Sequence, residues 1–217
     1  MTSQFAPGEI ISIIIAWIVL SIGITFSNFL GLLSGVQGNL EVIMAGFIAT
    51  ATGFILHEMG HKYVAIRHGY IAHFRIWVWG IALTIITAII SGGGFIFGAP
   101  GAVYITPAAV AYSFGYYSSS YKISDPDQEN MIISAAGPGL NLAFALFFFA
   151  LLIFASPNSF AETVGSLGFA INLGLGSFNM IPFPPLDGYK IFKKNIIIGL
   201  AIALPLWAMF FLYFFIL

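Results

Sequence analysis

His57 and His61 stand four residues apart, with Glu58 directly after the first of them, in Phe54-Ile55-Leu56-His57-Glu58-Met59-Gly60-His61. On a helix, side chains at that spacing lie one turn above the other on the same face, so the two imidazoles can take one metal ion together. Glu58, beside the first ligand, can reach a metal-bound water without ligating the ion itself. This H-E-x-x-H spacing carries the chemistry of zinc hydrolysis: two nitrogen ligands, an open coordination position and a general base. The chain has no cysteine, so a zinc ion needs further ligands from histidine or carboxylate.

The elements that must position these residues lie in a membrane. Of 217 residues, 59% are hydrophobic and only 7% charged, against roughly 25% charged in a soluble domain. No basic tract or arginine-aromatic interleave suggests nucleic acid, and the missing cysteines exclude a disulfide framework. The segment before Glu9 has no Lys or Arg. The first apolar run therefore reads as an uncleaved span rather than a signal peptide. Five full-length spans are expected, at Ile10–Leu30, about 41–63, Met131–Ala155, about 163–182 and Ile196–Leu217. The second carries the histidine motif toward its C-terminal end.

Between the second and third spans, Ile76–Ile90 is apolar but short for an unaided crossing. Gly92-Gly93-Gly94 breaks it. Phe95-Ile96-Phe97 and Ala102-Val103-Tyr104-Ile105, around the turn Gly98-Ala99-Pro100-Gly101, then read as two short strands. A β-hairpin at membrane depth must be buried in protein or line a wet cavity, because lipid satisfies no backbone group. It is therefore expected beside the metal site. The expected fold class is an all-α polytopic membrane protein: five transmembrane helices, a short apolar helix and a membrane-embedded hairpin, forming a single domain over 1–217.

Charge gives the topology. If the segment from Ile76 to Ile105 makes no net crossing, Lys62, Arg67, Arg75, Lys122, Lys190, Lys193 and Lys194 all face one side, and these are all 7 positive residues. The positive-inside rule makes that side cytoplasmic. The N-terminus is then cytoplasmic and the C-terminus outside. The same parity brings Asp187 to the side and depth of His57 and His61. The other carboxylates have simpler explanations: Glu9, Glu41 and Glu162 at span ends, and Asp125, Asp127 and Glu129 in a polar loop. Ionisable groups at membrane depth are costly and usually functional, which leaves Asp187 as the candidate third ligand.

These residues resemble the site-2 protease family of intramembrane zinc metalloproteases. The resemblance rests on His57-Glu58-Met59-Gly60-His61, on a Gly137-Pro138 helix start with Asn141, and on Asn179, Pro182 and Asp187-Gly188 in the family's order. Pro100-Gly101-Ala102-Val103 is similar to a segment of some members. The resemblance covers a core from about 41 to 195. It implies one Zn2+ ion held by His57, His61 and Asp187, Glu58 as catalytic base, and Asn179 as a cleft residue near the substrate. It also implies a minimal core without a PDZ or nucleotide-sensing domain, and a prokaryotic cytoplasmic membrane fits such a core.

The expected reaction is hydrolysis of a peptide bond within or near a transmembrane segment, by a zinc-activated water with Glu58 as base. A helical substrate hides its carbonyls in its own hydrogen bonds, so it must unwind and find new partners. The Phe95–Ile105 hairpin, through Phe97 and Val103, is expected to bind it by strand addition. The partners are thus a transmembrane protein or peptide and the bilayer. Two other readings share these residues: an intramembrane metal transporter, against which stands the lack of internal repeats, and a catalytically silent binder of membrane helices. His68 and His73 read as interfacial side chains, the Tyr112, Tyr116, Tyr117, Tyr121 cluster as a headgroup-level belt, and Gly165, Gly168, Gly174 and Gly176 as close-packing positions.

Overall fold

In the computed structural model, residues 5–35, 39–107 and 125–216 are described. The tyrosine cluster, Ser118-Ser119-Ser120 and Lys122 lie outside them. The order is α1 (Glu9–Ile24), α2 (Phe26–Leu33), α3 (Asn39–Thr50), a π-helical turn (Ala51–Ile55), α4 (Leu56–Arg67), β1 (Tyr70–Ile76), α5 (Val78–Ser91), β2 (Gly101–Pro107), α6 (Pro126–Phe154), α7 (Phe160–Asn179), α8 (Asp187–Lys194) and α9 (Ile196–Phe215).

Among the described residues, three helical segments are long and apolar enough to cross a membrane: Leu40–Arg67, Pro126–Phe154 and Ile196–Phe215. The count rises to four if α1 and α2, bent by 81°, make one span. The chain is an integral membrane protein, and among the described residues three or four of the five expected full spans have a helix long and apolar enough to cross. The first expected span breaks at Thr25, whose hydroxyl donates back to the Ser21 carbonyl at 2.8 Å and whose methyl packs where a Cβ on Gly46 would stand 2.3 Å away. The expected fourth span, α7, is long enough, but glycine, serine and asparagine dilute its apolar residues. Its Asn172 and Ser177 are buried in protein rather than set against lipid.

The sheet also differs from expectation. β2 pairs antiparallel with β1, Phe74 facing Val103, and residues 95–97 form no strand. The physical reason lies in α5, whose hydroxyls satisfy that stretch. Phe97 N–H donates to Thr87 Oγ1 at 3.0 Å, Thr84 Oγ1 donates to the Phe97 carbonyl at 2.7 Å, and Ser91 Oγ serves both backbone groups of Phe95 at 2.9 Å. With its polar groups taken by a helix, 95–97 has no need of a strand partner.

α6 begins well before Gly137-Pro138, so that pair is helix interior and not a helix start. The true start is Asp125-Pro126. Asp125 accepts from the N–H groups of Asp127 and Gln128 at 3.0 and 3.4 Å, and Pro126 takes the first helical position, where a missing N–H is harmless.

Lipid is as apolar as leucine, so helix pairs here depend on close packing. A Cβ on Gly168 would lie 2.5 Å from the Phe148 ring, one on Gly165 3.0 Å from Leu152 and one on Gly176 2.8 Å from Asn141. These three glycines let α6 and α7 approach. Gly174 has open space around it. The resulting core joins Met131, Ala145, Phe148, Phe169, Leu173, Met180, Ile191 and Leu206 from α6 through α9. On the other flank, Trp17 of α1 donates to the Phe47 carbonyl at 3.1 Å, and Ser21 and Thr50 share a 2.6 Å hydrogen bond. α3 is thereby held between α1 and α7, and α4 packs on α6.

Candidate metal centre

The first turns of α4 place His57, Glu58 and His61 in the interior, at 4%, 9% and 8% exposure. Asp187 arrives at the first turn of α8, 9% exposed. Its approach depends on Gly188, where a Cβ would stand 2.3 Å from the Met180 carbonyl: only glycine lets the chain fold back this closely onto the end of α7. The Asp-Gly pair thus has a steric cause.

The ligand atoms converge. His57 Nε2 and His61 Nε2 are 3.0 Å apart, and Asp187 Oδ2 lies 3.4 and 3.0 Å from them. Tetrahedral zinc with bonds of about 2.0–2.1 Å sets its ligands about 3.3 Å apart, so this triangle has nearly the size zinc requires. The far ring nitrogens agree. His57 Nδ1 lies 2.6 Å from Asn141 Oδ1 and His61 Nδ1 lies 2.8 Å from the Ile133 carbonyl. A carbonyl only accepts, so His61 donates from Nδ1 and presents a bare Nε2 to the centre. Lone pairs and a carboxylate oxygen pointed at one position repel one another until a cation stands between them. Among the described residues, His57, His61 and Asp187 form the group of histidine and acidic side chains able to hold a metal ion.

Gly137 of α6 makes room for that cation. A Cβ there would be 2.5 Å from His57 Cε1 and His61 Nε2 and 2.6 Å from His57 Nε2. Glu58 is held by the sheet, since Val103 N–H donates to Glu58 Oε2 at 2.9 Å.

The chain matches Peptidase family M50 over residues 45–167. It is 36% identical over 203 residues to a Methanocaldococcus jannaschii protein named "Putative zinc metalloprotease MJ0611", covering 94% of this chain and 93% of the relative. The chain belongs to Peptidase family M50. A second relative, "Putative zinc metalloprotease YwhC" of Bacillus subtilis, is 27% identical over 155 residues, 67% of this chain and 66% of the relative. No solved structure gives a significant match. Membership of M50, the site-2 protease family, makes this chain a metallopeptidase, and the nitrogen and carboxylate donor set suits zinc as its cofactor.

Other candidate residues of this M50 peptidase fall differently. Val103 reaches the site through its backbone. Phe97 stays in the α5 hydroxyl network and packs edge-on to Trp77, with ring centroids 6.3 Å apart. Asn179 ends α7, its amide donating to the Leu175 carbonyl at 3.0 Å. His68 caps its own helix through the Val64 carbonyl at 2.9 Å, and His73 lies 3.4 Å from Glu9 Oε2, both apart from the three ligands.

Two buried, paired charges escape a sequence reading. Glu9 does more than end a span, and Lys62 is no loop residue: the two form an ion pair at 3% exposure each. Glu9 also accepts from Phe74 N–H and Ala6 N–H, each at 2.8 Å. A visible signal existed in one acid and one base flanking two apolar runs, but which runs are neighbours is tertiary information.

Proposed function

We propose that this chain is an intramembrane zinc endopeptidase, one domain with a catalytic core over about 41–195, that cuts peptide bonds in or near transmembrane segments. The observation that carries the reading is the 2.9 Å hydrogen bond between Val103 N–H and Glu58: it sets the outer edge of a β-strand against the carboxylate next to the metal ligands. Phe74 and Val103 are register partners whose N–H groups both point away from the ladder. The outer edge of β2 therefore offers alternate N–H and C=O groups to an added strand. An unwound transmembrane substrate has the matching need.

In this reading His57, His61 and Asp187 hold zinc, which when bound supplies Lewis-acid activation of water and of the scissile carbonyl at neutral pH. Glu58, oriented by Val103, accepts the proton of the attacking water and passes it to the leaving amine. Phe97 shapes the loop that leads into β2, and Asn179, at the end of α7, is assigned to the substrate cleft. Lys193 pairs with Asp127 at 3.5 Å and Lys194 with Asp125, tying α8 to the start of α6. From Asp127 to Ile133, whose carbonyl holds His61, is about 9 Å of helix at 1.5 Å per residue. A shallow site beside these positive charges supports an active site near the cytoplasmic face of a prokaryotic membrane.

The test is bound zinc and cleavage of a transmembrane substrate by the wild-type protein and Glu58→Gln. Zinc retained in both, with cleavage at least about 10²-fold lower in the variant, supports the proposal. Zinc binding without cleavage by either protein would leave the transporter or the silent binder in its place.

A further inference from the structure

A network of buried amides joins the π-helical turn to the metal ligand. Asn141 of α6 and Asn172 of α7 are both 0% exposed. Asn141 Nδ2 donates to the Gly53 carbonyl inside the turn at 2.9 Å and to Asn172 Oδ1 at 3.2 Å. Asn172 Nδ2 in turn donates to Thr52 Oγ1 and to the Gly168 carbonyl, each at 2.9 Å. Thr52 completes the chain by donating to the Ala49 carbonyl at 2.8 Å.

The donor and acceptor sense of this chain is forced from its far end. The Gly168 carbonyl only accepts, so Asn172 must present its NH2 there and its oxygen to Asn141. Both protons of the Asn141 amide are then committed, to Asn172 Oδ1 and the Gly53 carbonyl. Its oxygen is what remains for His57. An oxygen 2.6 Å from Nδ1 requires the proton on Nδ1, which leaves Nε2 bare and facing His61 and Asp187. A buried amide with every hydrogen bond made has no low-energy flip, since reversing either Asn141 or Asn172 turns its oxygen toward a backbone carbonyl that can only accept.

We propose that Asn141 is the positioning residue that selects the metal-binding tautomer of His57, and that Asn172 and the π-helical turn hold Asn141 to that task. The turn is part of the device. A π turn inside an α-helix is uncommon and concentrates at functional sites, and this one ends at Ile55, two residues before His57. It also needs Gly53, where a Cβ would stand 2.9 Å from Ile171 of α7 and 3.8 Å from Asn172. The inference concerns how the ligand is prepared, and it stands whether or not the chain cleaves a transmembrane substrate.

Zinc titration of the metal-free full chain in detergent, against a chromophoric chelator, separates positioning from plain structure. Asn141→Leu removes the acceptor and is expected to weaken Zn2+ binding about 10- to 100-fold. Asn141→Asp keeps an acceptor for His57 Nδ1–H while losing both donors, so its thermal stability falls but its zinc affinity stays near wild type. Leucine binding zinc as tightly as wild type, or aspartate binding as weakly as leucine, overturns the proposal. A further measurement needs no variant: in metal-free wild-type protein labelled with 15N at histidine, His57 carries its proton on Nδ1. A proton on Nε2 instead overturns the assignment even if Asn141→Leu fails to fold.

Discussion

Gly137→Ala separates the metal centre from the fold around it. In a helix interior, glycine to alanine ordinarily stabilises by about 1 kcal/mol, because the chain loses less backbone entropy on folding. At Gly137 the added methyl would instead stand 2.5 Å from His61 Nε2 and His57 Cε1, about 1 Å inside the roughly 3.5 Å at which non-bonded heavy atoms pack. Neither ring can retreat cheaply, since both are buried and each is fixed through Nδ1. Zinc tolerates ligand displacements of only about 0.2 Å, so a shift several times larger removes the site. The expected result is a folded protein that no longer binds zinc stoichiometrically. Gly139→Ala is the control: one half-turn along α6, its Cβ would have nothing within 4 Å, so a modest gain in stability should come with unchanged zinc. The assays are metal content after dialysis and a thermal melt in detergent for both variants. Wild-type zinc affinity in Gly137→Ala would refute the packing argument and with it the placement of the metal against α6.

Val103→Pro removes the N–H that holds Glu58 and breaks the outer edge of β2. Zinc content should stay intact while cleavage falls, and full activity would sink the strand-addition reading. Phe97→Pro deletes the hydrogen bond to Thr87 and the ring contact with Trp77, neither of which touches Glu58, and should cost less activity than Val103→Pro in the same assay. Glu9→Gln leaves the Lys62 charge buried without its partner, which typically costs about 3–5 kcal/mol. Its melting temperature should drop well below that of Glu9→Gln combined with Lys62→Met, and equal loss in both would show that the charge pair is not what matters.

The three side chains that converge as a candidate metal centre were legible because each carries its own local reason. The four-residue spacing of His57 and His61 places them on one helix face, and Asp187 is a carboxylate at membrane depth with no simpler role. Spans were less legible. A hydropathy reading sees apolar length, whereas Thr25 bends the first run by 81° through a side-chain contact to Gly46. Likewise the polar α7 is set among protein neighbours that no single sequence window contains. The hairpin was half right: Ala102–Ile105 is strand, but its partner is Tyr70–Ile76. Phe95-Ile96-Phe97 has a strand's composition, yet Thr84, Thr87 and Ser91, spaced along one face of α5, supply its hydrogen bonds first. Gly137 and Asn141 could be seen as a motif, but their work depends on α6 lying against α4.

The sheet explains why an acid at the start of α1 and the proposed base on α4 belong to one design. At a single register pair, Phe74 N–H leaves the ladder toward Glu9 and Val103 N–H leaves it toward Glu58. A two-stranded sheet has two open edges, and each edge is a template for another strand. Glu9 closes the β1 edge with a carboxylate that Lys62 also holds, in a buried pair at 3% exposure that an incoming peptide would have to break. Glu58 meets the β2 edge through one hydrogen bond, which a substrate carbonyl can replace. In the proposed reading, strand addition is therefore directed to the edge beside the candidate metal ligands, and an arriving substrate would take over the N–H that holds Glu58. Lys62, directly after His61, ties the closed edge to the helix that carries His57 and His61.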